Sequence, residues 1–196
     1  MNIIKSFNNF ILEKKENNRK FEYGCLMINY EFPDIEKLHE LIHKDDIAKD
    51  GLENDPHTTI LFGLHDKEID DDDIFDIISK NEINNLILYN ASLFESDEFD
   101  VLKFDVKEQM LDEDGKDIYK KSKDFLYKMN KTLTDNFPYT TDFPDYHPHC
   151  TIGYLKKGEG KKYIKELKDI EYIVSPNRFT YSKSDESKVV RDIEIK

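Results

Sequence analysis

Pro56-His57-Thr58-Thr59-Ile60 and Pro148-His149-Cys150-Thr151-Ile152 both read Pro-His-x-Thr-Ile, and their histidines lie 92 residues apart. Side chains alternate between the two faces of a β-strand. Each histidine is therefore predicted to share a face with the threonine two residues later, while the isoleucines Ile60 and Ile152 point to the opposite, apolar face. Two such strands side by side would bring two imidazoles and two hydroxyls into one pocket.

These four side chains, His57, Thr59, His149 and Thr151, are the predicted catalytic residues. Unperturbed histidine has a pKa near ~6.5, so near neutral pH one imidazole can accept a proton while the other donates one. The threonine hydroxyls are placed to donate hydrogen bonds to the non-bridging oxygens of a phosphate. The pattern predicts phosphodiester cleavage, and its symmetry leaves open which histidine is the base. The simpler interpretation is that His57 and His149 are polar strand residues without a catalytic role. It is less favoured because it does not explain why the same motif occurs twice.

The composition limits the class of protein. The 196 residues suit one domain or two small lobes with a shared core, and 13 Phe and 11 Tyr supply bulk for that core. No apolar run has the length of a membrane span, and the N-terminus lacks the apolar core of a secretory signal. We therefore expect a cytoplasmic protein, with Cys25 and Cys150 as buried thiols.

The net charge of −13 constrains the partners. Long nucleic acid is bound largely through neutralisation of its phosphates, and the chain offers no basic block for that purpose. A small phosphorylated ligand held in a pocket is more compatible with this charge. We expect no long nucleic acid and no membrane as partners, and the sequence does not indicate an oligomeric state.

The order of elements predicts a duplicated, bilobed α+β fold. Helix, motif strand, helix and two strands describe residues 34–106, and the same order describes residues 115–195. We expect a single domain over residues 21–196, with lobes of about 21–110 and 111–196, a pseudo-twofold axis and a central cleft. Residues 1–20 are predicted to form an amphipathic helix or a leader.

Local patterns give more detailed expectations. Residues 45–55 are predicted to form a charged loop, residues 114–136 the longest helix, and residues 172–174 and 178–182 two separate strands.

Metal binding is not favoured by the sequence. The run Asp70–Asp73 lacks the spaced ligands and the glycine of a calcium loop, and it suits a helix N-terminus. A zinc cluster of His147, His149 and Cys150 is disfavoured because Cys150 would point away from His149 in a strand. We expect neither a metal nor another cofactor.

Two His-x-Thr motifs about ninety residues apart in a small duplicated chain resemble the two-histidine (2H) phosphoesterase superfamily. It includes cyclic phosphodiesterases, RNA-end-processing enzymes and 2′-5′ oligonucleotide phosphodiesterases. Tyr23-Gly24-Cys25-Leu26-Met27, followed by the first motif and Gly63, most resembles the phage anti-CBASS nucleases, which degrade cyclic di- and trinucleotide signals of bacterial immunity.

This resemblance implies cleavage of 3′-5′ bonds in cyclic oligonucleotides, with the ribose 2′-hydroxyl as nucleophile, in the cytoplasm of an infected bacterium. Tyr23 could stack on a nucleobase or pack in the core. Tyr181 precedes a polar turn where the family often closes over substrate. The alternatives are an RNA-processing 2′,3′-cyclic or 2′-5′ phosphodiesterase, and a sponge that binds cyclic nucleotides without cleaving them.

Overall fold

A computed structural model describes residues 23–143 and 145–193, so the predicted N-terminal helix or leader lies outside the described residues. Within these ranges the chain forms eight strands, four α-helices and three short 3₁₀ turns. The strands are β1 (Tyr23–Glu31), β2 (Ile47–Leu52), β3 (His57–His65), β4 (Leu86–Glu95), β5 (Phe99–Glu108), β6 (His149–Lys156), β7 (Tyr172–Ser182) and β8 (Lys188–Asp192). The helices are α1 (Ile35–Glu40), α2 (Asp71–Ile78), α3 (Phe125–Asn136) and α4 (Gly160–Leu167).

All eight strands belong to one sheet, in which neighbouring strands run antiparallel in the order β1-β3-β6-β5-β4-β7-β8, and β2 pairs with β6. The start of β7 pairs with β4 and the rest of it pairs with β1, which closes six strands into a ring. The fold therefore combines helices with a sheet-dominated core. The duplication and the twofold relation between lobes remain predictions.

The core lies against the face of the motif strands that carries their apolar residues. Ile60, Cys150 and Ile152 have no exposed surface, and helix α3 packs on β3. Cys25 and Cys150 are both buried and unpaired, as predicted. Burial raises the pKa of each thiol to about 12, which makes these thiols unreactive at neutral pH. Each helix in the described ranges is too short or too polar to cross a bilayer.

Two of the local predictions were wrong because capping and edge pairing outweighed the sequence pattern. The predicted loop 45–55 contains β2, which pairs with β6 only near its ends, so its charged middle residues need no apolar neighbours.

The predicted helix 114–136 begins only at Phe125, and Ile118 is 48% exposed. Asp124 accepts a hydrogen bond from the Leu126 amide at 2.8 Å, and Glu108 accepts one from the Phe125 amide at 2.8 Å. Such caps fix where a helix starts, at about 1 kcal/mol each.

The prediction of two strands around Pro176 was also wrong, because β7 runs through this residue without a break. Residues 172–174 pair with β4, and the pairing with β1 starts at Ser175. A proline lacks the amide donor of a ladder and is tolerated where pairing is irregular. Pro176 lies next to this exchange of partners, opposite a register shift in β1.

The loop after α3 holds the far end of β3. The Thr140 amide donates to the Gly63 carbonyl at 2.9 Å, and the His65 amide donates to the Pro138 carbonyl at 3.0 Å. Gly63 has a φ of +94°, and a Cβ at this residue would overlap with the Thr140 carbonyl oxygen. The close approach of these two backbones therefore requires glycine.

Replacing Gly63 with alanine should destabilise the protein by about 2–4 kcal/mol, because left-handed strain and a backbone overlap add together. Gly115→Ala is the matched control, since Gly115 has a φ of +78° but open space around its Cα. It should cost about 1–2 kcal/mol from strain alone. Urea unfolding would measure both values, and equal losses would contradict the overlap.

Candidate active site

The two motif strands lie side by side and run antiparallel, with Thr58 opposite Cys150. This register places His57 across from Thr151 and Thr59 across from His149. Thr58 and Cys150 are fully buried on the core face, while all four predicted catalytic residues are partly exposed. The structure thus brings the two histidines and two threonines together on one face, as a square with histidines at diagonal corners. We call this group the His–Thr square.

The diagonal of the square sets the distance between the imidazoles. Diagonal neighbours on adjacent antiparallel strands have Cα atoms about 7–8 Å apart. Each histidine also has a threonine directly opposite, so a group held between the imidazoles lies beside both hydroxyls. This is the arrangement that an in-line displacement at phosphorus needs, with a proton acceptor and a proton donor on opposite sides.

Both imidazoles are oriented by the backbone in the same way. Nδ1 of His57 lies 2.8 Å from the Asp55 carbonyl oxygen, and Nδ1 of His149 lies 2.9 Å from the His147 carbonyl oxygen. A carbonyl can only accept, so Nδ1 carries the hydrogen in each ring. Nε2 is then the atom that gains and loses a proton, and it is the same atom in both motifs.

The first motif strand is fixed from several sides. The Tyr146 hydroxyl donates to the Thr59 carbonyl at 3.1 Å, and the Asn130 amide donates to the Ile60 carbonyl at 2.8 Å. On the core face, the hydroxyls of Tyr30 and Thr58 are hydrogen-bonded at 3.3 Å. These contacts hold the strand, and with it His57 and Thr59, in register.

Neighbouring strands extend the square into two rows across the sheet. Because directly paired residues of antiparallel strands share a face, the side chains in these rows surround the square. The first row is Arg178, Asn29, His57, Thr151 and Lys103, and the second is Thr180, Met27, Thr59, His149 and Asp105.

The side of the square next to His57 carries acidic residues. The Asp55 carboxylate accepts hydrogen bonds from Arg178 and, at 3.2 Å, from Asn29. Glu53 is buried and accepts a hydrogen bond from the Asp55 amide at 2.9 Å. Burial raises the pKa of Glu53, and the nearby charge of His57 opposes that rise.

The side next to His149 carries a cation and an aromatic ring. Lys103 Nζ lies 2.7 Å from an Asp105 carboxylate oxygen and 4.8 Å from the centroid of the Phe94 ring. The Phe94 ring stands edge-on to His149, with centroids 5.0 Å apart. Asn90, with a φ of 53°, donates to the second Asp105 oxygen.

These surroundings keep His149 neutral. Although part of this residue remains exposed, burial of the ring lowers the pKa of His149 to about 4. The positive charges of Lys103 and His57 also lower this pKa, while the hydrogen bond to the His147 carbonyl and the charge of Asp105 act in the opposite direction without cancelling the effect of burial. At pH 7 His149 is therefore a proton acceptor.

The structure does not bring Tyr23 or Tyr181 to the His–Thr square. Tyr23 pairs with His65, six residues beyond Thr59 on β3, which corresponds to about 20 Å of strand. Tyr181 has no exposed surface and packs against Gly24. Their role in substrate binding therefore remains a prediction, and the structure adds that Tyr23 lies far along the strand from the square and that Tyr181 is buried.

Sequence reasoning missed the residues on both sides of the square. Lys103, Asp105, Arg178 and Asn29 reach it through pairing of distant strands, and no motif marks them. The one signal in the sequence is that Lys103 and Asp105 lie two residues apart on β5, which places both side chains on the same face of the sheet. Nowhere in residues 23–143 and 145–193 do three His, Cys, Asp or Glu side chains converge so as to hold a metal ion.

His149 should titrate with a pKa of about 4, well below the ordinary value near ~6.5, because its surroundings disfavour the imidazolium. Carbon-13-edited NMR of the histidine ring signals over pH 3.5–8 would measure this, with His149→Gln assigning the signal. A midpoint near ~6.5 would contradict the described surroundings of the ring.

No protein-family model matches the sequence, and no curated protein matches it. Among solved structures, the chain is similar to Escherichia coli LigT complexed with 3′-AMP, at 15% identity and a TM-score of 0.41, over 88% of this chain and 96% of that chain. It is also similar to a phosphoesterase, at 12% identity and a TM-score of 0.40, over 87% of this chain and 95% of that chain. Identities and TM-scores this low do not identify a family. The proposed chemistry therefore rests on the residues of the His–Thr square and their surroundings.

Proposed function

We propose that this protein is a metal-independent 2H-type phosphodiesterase that cleaves 3′-5′ bonds of cyclic di- and trinucleotides. The observation that carries the proposal is the His–Thr square. It combines two imidazoles with identically oriented Nε2 atoms and two hydroxyls on one accessible face. An acid, a base and two hydrogen-bond donors around one point are what transfer of a phosphoryl group requires.

In the proposed reaction, His149 accepts the proton of a ribose 2′-hydroxyl, whose oxygen attacks the adjacent phosphorus. The bond from phosphorus to the 5′-oxygen breaks, and His57 donates a proton to that leaving oxygen. Thr59 and Thr151 donate hydrogen bonds to the non-bridging oxygens as charge develops on them. The ring opens to a linear product with a 2′,3′-cyclic phosphate and a 5′-hydroxyl. Attack of water on the cyclic phosphate, with the proton roles reversed, completes hydrolysis.

The charges around the square distinguish the two histidines. Lys103 lies beside the His149 end, whereas Asp55 and Glu53 precede His57 in the chain and lie around it. The charge of Lys103 therefore disfavours a positive charge on His149. This supports His149 as the base and His57 as the acid for the first step, an assignment that the symmetric motifs leave open.

The net charge supports a small cyclic substrate over a long nucleic acid. A chain of charge −13 repels a polyanion, and neutralisation of many phosphates would need a basic surface. A cyclic oligonucleotide carries few charges and can reach a site with local cations. The resemblance of Tyr23–Met27 and the first motif to phage anti-CBASS nucleases supports a role in immune evasion in the cytoplasm of an infected bacterium.

In EDTA, the protein should cleave 3′,3′ cyclic di- or trinucleotides. His57→Ala and His149→Ala should each lose activity by about 10²–10⁴-fold, because each removes one proton-transfer group. His43→Ala, at a histidine with a 70% exposed side chain outside the square, is the matched control and should keep full activity. Chromatography of the products measures turnover.

The same assay separates the alternatives when 2′,3′-cyclic nucleotides and a 2′-5′ dinucleotide are included. Turnover of those two substrates alone would indicate an RNA-processing enzyme. Tight binding without any product would indicate a sponge, and activity that EDTA abolishes would contradict metal-independent chemistry.

The pH dependence of kcat/KM should have an acidic limb near pH 4, since protonated His149 cannot act as the base. A step of general-acid catalysis should also lower activity at alkaline pH. Initial rates from pH 3.5 to 9 test this, with circular dichroism at each pH as a control for unfolding. A loss of activity on acidification that is already complete at pH 6 would mean that His149 is not a base of lowered pKa.

A further inference from the structure

Lys103 occupies the place next to the His–Thr square where a cation would meet a bound phosphate. It pairs directly with Thr151 across β5 and β6, so its side chain stands on the catalytic face beside that hydroxyl. The neighbour on the other side of the square is Asn29, paired with His57, which carries no charge. The first row therefore has a cation beside only one of its two catalytic residues.

The Lys103 ammonium is poorly solvated and fixed in position. Its side chain is only 10% exposed, Asp105 holds it at 2.7 Å, and the Phe94 ring lies 4.8 Å away. An ammonium has three donors, and Asp105 is its one hydrogen-bond partner among the described residues. Fixed donors in a water-poor site interact more strongly with developing charge than solvated ones do.

We propose that Lys103 is a further catalytic residue, which donates a hydrogen bond to a non-bridging oxygen of the phosphate diester bound in the square, beside Thr151. This inference rests on the proposed function and names the group that neutralises the charge of the transition state. The ligand chemistry is a phosphate diester anion. Arg178, at the other end of the row, is separated from Thr151 by two intervening strands, and its guanidinium donates to Asp55.

The same cation acts on the proposed base. Among the described residues, the charged groups that act on His149 include Lys103 and Asp105 from β5 and His57 from β3, and the Phe94 ring from β4 stands edge-on to the imidazole. Without Lys103, the imidazolium of His149 would have one positive neighbour fewer and would become more favourable. Lys103 therefore has two separate effects, one on the phosphate and one on the protonation of His149.

Lys107 provides a matched control on the same strand. It forms an ion pair with Asp117 at 3.3 Å and lies 5.1 Å and 5.6 Å from the rings of Tyr89 and Tyr119. Lys103 and Lys107 thus have similar surroundings, because each is paired with an aspartate and lies near at least one aromatic ring. Lys107 lies outside the two rows, so its removal tests whether loss of any such lysine from β5 has the same effect.

The experiment compares Lys103→Met, Lys103→Gln, Lys103→Arg and Lys107→Met with the unchanged protein. Three quantities are measured: kcat/KM for a cyclic dinucleotide, affinity for its 2′-deoxy analogue by calorimetry, and the His149 midpoint by NMR without ligand. The analogue lacks the nucleophile and so reports binding alone. Circular dichroism shows which variants fold, and Lys103→Gln stands in if Lys103→Met does not.

Loss of Lys103 should lower kcat/KM by about 10²–10³-fold, as removal of an oxyanion donor does in other enzymes. Affinity for the analogue should fall by about tenfold or more, and the His149 midpoint should move upward. Lys103→Arg should retain most of the binding, and Lys107→Met should stay within about twofold in all three quantities. Equal effects of Lys103→Met and Lys107→Met, or unchanged affinity in Lys103→Met and Lys103→Gln, would overturn the proposal.

Failure of the proposed function would look different. If the unchanged protein cleaves no substrate, affinity for the 2′-deoxy analogue and for inorganic phosphate still reports on Lys103. Weaker binding in Lys103→Gln but not in Lys107→Met would then support the anion contact, and equal binding in both variants would overturn it.

Discussion

One antiparallel pair, Thr58 opposite Cys150, is the constraint on which the site depends, because it is where the two motif strands meet. A shift of either strand by one residue would turn its histidine and threonine into the core and bring its apolar residues to the surface. The burial of Ile60 and Ile152 therefore fixes the register as firmly as the hydrogen bonds do. The chemistry on one face and the packing on the other are two results of the same alternation.

The motifs are alike in sequence, but their surroundings differ in charge. Each imidazole has the same backbone partner two residues earlier, so orientation is equivalent at the two ends. Asp55 and Glu53 lie on one side, and Lys103 lies on the other. Two histidines with the same backbone partner therefore lie in different electrostatic surroundings, and the charge of Lys103 contributes to the lowered pKa of His149.

The sequence predicts the part of the site that lies within the motifs and little of what surrounds it. The alternation of His57 and Thr59 is local, so the shared face follows from strand geometry alone. The position of Lys103 beside Thr151 depends on strands almost fifty residues apart in the chain, and no local pattern encodes that pairing. Burial depth was not predictable either, since Tyr181 precedes a polar turn in the sequence but is fully buried in the structure.

The fold was predicted best where hydrophobic periodicity agreed with the final burial. The motif strands β3 and β6 begin at His57 and His149, where the motifs predict them, because their apolar residues enter the core. The start of α3 was missed because two carboxylates, from Asp124 and Glu108, cap the helix at Phe125. One of these partners comes from another strand, which a helical pattern does not show.

The closed ring of six strands limits how far the two motif strands, and therefore the two histidines, can separate. The two motif strands are paired through a single pair of residues, Thr58 and Cys150, so this contact alone would hold them together only weakly. On the opposite side of the ring, β4 pairs with β7 through residues Leu86–Leu88 and Tyr172–Val174, and this pairing closes the ring. The spacing of the two histidines thus depends also on a strand pairing that includes neither of them, because the six strands form a closed ring.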